Sequence, residues 1–93
     1  MKGGFNMLDL YELERLFNNW LKPRTQYSCE ITPKFKTYAG VKVITLEIYR
    51  VCENGRKELI KTISGGNINQ EKAWDIIFDK LFEYFMEIGK YVE

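Results

Sequence analysis

The first clear pattern along the chain is helical. Leu10, Leu13, Leu16, Phe17, Trp20 and Leu21 recur on one face, while Glu12, Glu14, Arg15, Asn18 and Asn19 fall on the other. Asp9 followed by Glu12 has capping-box spacing and predicts the start of this helix. Pro23 predicts its end, because proline disfavours helical geometry in the residue before it. From residue 26 to 37 the period falls to two: Tyr27, Cys29, Ile31 and Phe35 alternate with Ser28, Glu30, Thr32, Lys34 and Lys36. Pro33 cannot donate to a ladder, which puts this strand at an edge or a bulge. Ala39-Gly40 supplies a turn, and residues 41 to 52, rich in β-branched and aromatic side chains, predict a second strand. Asn54-Gly55 is a strong hairpin signal, after which residues 57 to 64 return as a third strand.

A two-residue Asn54-Gly55 loop sets Tyr49 opposite Ile60, Glu47 opposite Thr62 and Leu46 opposite Ile63. One face then collects Ile44, Leu46, Ile48, Leu59 and Ile63, and the other Thr45, Glu47, Tyr49, Val51, Glu58, Ile60 and Thr62. The first is aliphatic and predicts the core side; the second is half polar and predicts the wet side. Gly65-Gly66-Asn67 reads as a strand break, with Asn67 or Asn69 capping a last helix from about residue 70 to 88 and Gly89 stopping it. In that helix Trp74, Ile77, Phe78, Leu81, Phe85 and Ile88 make an apolar stripe, widened by Ala73, Phe82 and Tyr84. Asp75, Asp79, Glu83 and Glu87 line up at i, i+4 spacing on the far side.

The element order predicts an α+β fold with two layers, α-β-β-β-α: a three-stranded antiparallel sheet with both helices packed on one face. Ninety-three residues fit one domain over residues 7 to 93. The opening Met1-Lys2-Gly3-Gly4-Phe5-Asn6-Met7 could be encoded by a purine-rich ribosome-binding site followed by a start codon. Residues 1 to 6 are therefore expected to be a flexible tail and Met7 the native start, with a bacterial or phage source. No apolar run approaches the roughly 20 residues of a spanning helix, so the expected place is the cytoplasm of a bacterial cell, away from membrane. Cys29 and Cys52 then read as small buried hydrophobes in a reducing compartment.

Several chemistries have no residues to carry them. The chain has no histidine, no CxxC, no phosphate loop and no GxSxG. No cofactor or metal site is expected, and an exposed file of carboxylates lacks the buried partner that a catalytic pair needs. The reading is non-enzymatic.

Net charge is only +1, but it is unevenly placed. Residues 22 to 61 carry a balance of +5, while residues 70 to 93 carry −3. The strands are basic and the last helix is acidic. Such asymmetry steers charged partners, although lysines on strands also discourage edge-to-edge aggregation.

The order α-β-β-β-α over residues 8 to 88 resembles the double-stranded RNA-binding domain, whose last helix opens with a lysine-rich, phosphate-gripping motif. Here the matching stretch Asn69-Gln70-Glu71-Lys72-Ala73-Trp74 holds one lysine and leads into the acidic file. The same order, with the hairpin Thr45-Leu46-Glu47-Ile48-Tyr49-Arg50-Val51-Cys52-Glu53-Asn54-Gly55, resembles small phage-encoded anti-CRISPR inhibitors of Cas9. That resemblance implies an inhibitor that acts by binding. Those inhibitors are strongly acidic, whereas this chain is near neutral.

The resulting expectation is a protein-binding module, a phage or mobile-element regulator or inhibitor, acting through the wet sheet face. Tyr49 and Ile60 with Val51 would form its centre and Lys42, Arg56 and Lys57 its rim, the partner being another protein or a second copy of the chain. The alternative is nucleic-acid binding through Lys34, Lys36 and Lys42.

Overall fold

A computed structural model describes residues 7–67 and 71–92, and the side chains of residues 72–92 within the last helix. The expectations for residues 1 to 6 and for Asn69 as a cap lie outside the described residues. The chain folds as α1 (Met7–Leu21), β1 (Tyr27–Tyr38), β2 (Val41–Cys52), β3 (Lys57–Asn67) and α2 (Glu71–Val92). This is the α+β order expected, with one antiparallel sheet ordered β1-β2-β3.

The core lies between the sheet and the helices. Leu10 and Leu21 of α1, Cys29 and Ile31 of β1, Ile44, Leu46 and Ile48 of β2, Ile63 of β3, and Ile77, Phe78, Leu81 and Phe85 of α2 are all buried. Each large aliphatic or aromatic side chain so buried contributes about 1.5–3 kcal/mol. α1 lies along β1 and α2 along β3. Phe17 stacks on Phe85 with ring centroids 4.0 Å apart, and Trp20 lies beside Gly89. Both contacts climb the two helices in the same sense, so α1 and α2 run parallel.

Several boundaries differ from the sequence expectation for physical reasons. α1 begins at Met7, which places Asp9 inside the first turn. An acidic side chain there still faces the positive end of the helix dipole. α2 runs through Gly89 to Val92. Gly89 is no stop: it sits within the helix beside the Trp20 ring, where an added Cβ would lie 3.8 Å from Cη2, an ordinary contact. Likewise β3 continues through Gly65 and Gly66 to Asn67. Ile44 pairs with Gly66 and Thr45 with Ser64, leaving Gly65 as a bulge residue. A Cβ on Gly65 would collide with Ile77 Cδ1 and Cγ1 and sit 3.1 Å from Ile44 Cγ2, so only glycine lets α2 approach this closely.

One hairpin turns where the sequence suggests, and the other has a longer loop than expected. At Asn54-Gly55 only Gly55 has positive φ, at 84°. The Gly55 N–H donates to the Cys52 carbonyl, and the Cys52 N–H donates to the Arg56 carbonyl, each at 2.9 Å. The loop is therefore the three residues Glu53-Asn54-Gly55. At the other hairpin Ala39 and Gly40 both have positive φ, 50° and 78°, as a two-residue primed turn requires.

The extra loop residue slips the register. Val51 pairs with Lys57, Arg50 with Glu58, and Tyr49 with Leu59, where Ile60 had been expected. A second irregularity then absorbs Ile60, so Ile48 pairs with Lys61, and Glu47 with Thr62 and Leu46 with Ile63 as expected. Ile60 packs against the core instead of joining the wet face, and Leu59 takes its place beside Tyr49.

One sheet edge is closed chemically. The Cys29 N–H donates to Asn18 Oδ1, and Asn18 Nδ2 donates to the Cys29 carbonyl, both at 2.8 Å. The Ile31 N–H donates to Glu14 Oε2 at 2.7 Å. Two residues further, on the same side of the strand, Pro33 has no N–H. α1 thus occupies the outward backbone groups of β1 at Cys29 and Ile31, which would otherwise template another strand.

Candidate protein-docking surfaces

Two uncovered surfaces could receive a partner. The first is the sheet face opposite the helices. Strand alternation places Glu30, Thr32, Lys34 and Lys36 of β1, Val43, Thr45, Glu47, Tyr49 and Val51 of β2, and Lys57, Leu59, Thr62 and Ser64 of β3 on it. The Tyr49 hydroxyl donates to Glu47 Oε1 at 2.7 Å, and that bond pushes the phenol's pKa above its ordinary value. Lys57 Nζ pairs with Glu30 Oε2 at 2.8 Å, reaching across the line of Tyr49 and Val51. Leu59, 50% exposed, is the most open aliphatic of this central group. The face is mixed: apolar in the middle, with its nearest charges already paired.

The residues expected to form a site there are only partly brought together. Tyr49, Val51 and Lys57 share the outer face, and Arg56 stands exposed at the hairpin end. Ile60 leaves it for the core. Lys42 has the parity of Ile44 and lies on the helix side of the sheet, its Nζ 5.6 Å from the centre of the Phe35 ring. The alternative trio for nucleic acid is split for the same reason: Lys34 and Lys36 belong to the outer face and Lys42 to the other.

The second surface is a groove between the helices on the side away from the sheet, of about 370 Å³. Leu13, Leu16, Phe17 and Trp20 line it from α1, and Phe82, Phe85, Met86 and Gly89 from α2. No charged side chain is among them. Leu16 is 52% exposed, Phe82 45% and Met86 71%, so the groove floor is apolar and its lips are apolar as well. The stacked Phe17 and Phe85 rings form the floor, and Phe17 also stacks on Trp20 at 5.8 Å. At the C-terminal end of α1 the Arg24 guanidinium lies 4.6 Å from the Trp20 ring centre and donates to the Trp20 carbonyl at 2.6 Å. That contact fixes the indole at the groove's end.

Sequence reasoning placed Leu16 and Phe82 in the apolar arcs of their helices but did not separate them from the core. The signal was the width of the arcs, since a helix lying on one sheet and beside one neighbour buries less than that arc offers. Met86 belonged to neither the apolar stripe nor the acidic file.

The remaining polar groups are structural. Burial, followed by the nearby Glu14 charge, pushes the Cys29 thiol up to about 11, so it stays protonated as a core hydrophobe. Cys29 and Cys52 are both free thiols. Burial likewise raises the Glu14 carboxyl above its ordinary range, although the Ile31 N–H opposes the effect. Arg50 pairs with Glu58 and lies over the Tyr27 ring. Lys61 lies over the Tyr84 ring, and Lys80 donates to the Ser64 carbonyl, tying α2 to β3. Among the described residues no helix is long and apolar enough to cross a membrane. No family, curated protein or solved structure matches the chain.

Proposed function

We propose that this chain is a non-enzymatic protein-binding module and that its principal docking surface is the groove between α1 and α2. The observation that carries the reading is the continuous apolar lining of that groove, with Leu16, Phe82 and Met86 left open to solvent. A contiguous apolar recess on a small domain is what a partner's buried anchors need, and leaving it in water has a hydration cost that binding relieves. The acidic side chains of α2 support the absence of chemistry. Asp75, Asp79, Glu83 and Glu87 follow one another along a helix face; Glu83 and Glu87 border an open recess beside β3 with Lys61 and Lys80, but all four are exposed and none is the buried carboxyl that a catalytic pair needs. The likeness of the β2–β3 hairpin to that of phage-encoded inhibitors fits the same class of action, binding without turnover.

The outer sheet face offers a second reading within the same class. The observation favouring it is the cluster of Tyr49, Val51 and Leu59, which no other element among the described residues covers. A photo-crosslinking amino acid placed at Met86 in one variant and at Leu59 in another separates the two in the cell that makes the protein. A discrete adduct from position 86 and none from 59 is the expected result. An adduct from 59 alone would move the site to the sheet, and none from either would remove the proposal.

A further inference from the structure

We infer that the occupant of the interhelical groove is an amphipathic helix carrying lysine or arginine beside its apolar stripe. The inference rests on reading the groove as the docking surface and adds what that surface selects. Its basis is the chemistry of the two lips. On α2, Asp79 precedes Phe82 by three residues and Met86 by seven, and Glu83 precedes Met86 by three. Helical spacing therefore sets Asp79 beside the exposed apolar lip and Glu83 on its outer shoulder, where it also borders the recess beside β3 with Lys61 and Lys80; both side chains are exposed, and Lys90 follows Met86 by four residues. On α1 the equivalent position beside Leu16 holds Glu12, whose charge is met by Arg15 in a two-pronged ion pair at 2.7 and 2.9 Å. Asp9 precedes Leu16 by seven residues, so acids outnumber cations along both lips.

Two parallel helices with an apolar trough between them accept a third helix laid along the trough, its anchors at i, i+3, i+4 and i+7. The acidic excess then asks for cations on the flanks of the partner's apolar stripe. A second copy of the chain fits poorly. Its own exposed helix surface would bring Asp79 and Glu83 against acids, because its basic surplus lies on the strands. An anionic lipid surface is disfavoured for the same reason.

The test uses the full chain and two labelled synthetic peptides with one leucine stripe, flanked by lysine in the first and glutamate in the second. Fluorescence anisotropy at low salt reads affinity, and Trp20 emission in a Trp74→Phe background reports occupancy of the groove. The lysine peptide is expected to bind about tenfold more tightly than the glutamate peptide, with the gap narrowing as salt rises. Met86→Glu should abolish binding, and Asp79→Lys with Glu83→Lys should reverse the preference; circular dichroism checks that each variant folds. Equal affinity for both peptides overturns the charge inference while leaving the groove reading intact. Failure of both peptides, or binding untouched by Met86→Glu, overturns both. Self-association dissolved by Met86→Glu would instead make a second copy the occupant, and binding to vesicles containing anionic lipid that Met86→Glu abolishes would make it a membrane; either overturns the inference.

Discussion

Replacing Asn18 with alanine tests how α1 seals the sheet. The Asn18 amide donates to the Cys29 carbonyl and accepts from the Cys29 N–H, both at 2.8 Å, in place of a neighbouring strand. Each such bond is worth about 1 kcal/mol net, so their loss costs about 2 kcal/mol. Alanine is the better helix former, which returns about 0.6 kcal/mol. The net expectation is a loss of about 1.5 kcal/mol, lowering Tm by about 6–12 °C for a domain of this size. Asn19 is the natural control: it sits exposed on the same helix, and alanine there gains the propensity without losing the bonds. Urea titration of the two variants therefore isolates about 2 kcal/mol as their difference. Hydrogen exchange should also accelerate at the Cys29 amide in the Asn18→Ala protein. If the two variants differ by less than about 0.5 kcal/mol, water replaces the side chain without loss and the sealed-edge argument fails.

Three further predictions follow from single positions. Gly65→Ala drives a Cβ into Ile77 and should cost about 1–3 kcal/mol or more by chemical denaturation, and that cost should be smaller in an Ile77→Ala background than in the parent. Ala39→Asn relieves a left-handed backbone, φ 50°, at an exposed turn position and should raise stability by about 0.5–1 kcal/mol, read as an increase in Tm. Burial raises the Glu14 carboxyl above 4.5 in the folded state. The native protein therefore holds that proton more tightly than the unfolded chain, and this contribution is fully present below 4.5 and lost as pH rises through the folded value. Glu14→Gln lacks the effect while keeping an acceptor for Ile31, so its stability relative to the parent should improve as pH climbs from 4.5 toward neutrality. A flat difference across that range would contradict the assignment.

The element order and the extent of β2 were legible because each rests on local signals, β-branched and aromatic content for Val41–Cys52 and period 3.6 for the helices. The register was legible only in part. Asn54-Gly55 announces a hairpin but does not distinguish a two-residue loop from a three-residue one. The extra loop residue is undone at Ile60, so pairing is as expected at Glu47 and Leu46 and slipped at Tyr49. Nothing local marks Ile60 as the residue that turns inward. Lys42 is different, since its parity with Ile44 already placed it on the core side of β2. Gly65 and Gly66 read as a break because the reason for them, the side chain of Ile77 pressed against the strand, lies in another element. The groove was missed: the wide apolar arc of the last helix reads as one that the sheet and the first helix cover, whereas Leu16, Phe82 and Met86 stay open.

The most direct measurement of the docking claim takes a partner captured through position 86, purifies it, and titrates it by calorimetry with the parent chain, Met86→Glu and Leu59→Glu. A charge set into the groove should weaken binding at least about thirtyfold, the loss of an interface anchor, while Leu59→Glu on the opposite side of the molecule stays within about threefold. Full affinity in Met86→Glu, with the loss appearing in Leu59→Glu, would show that the partner sits on the sheet and that the trough between the helices is ordinary surface.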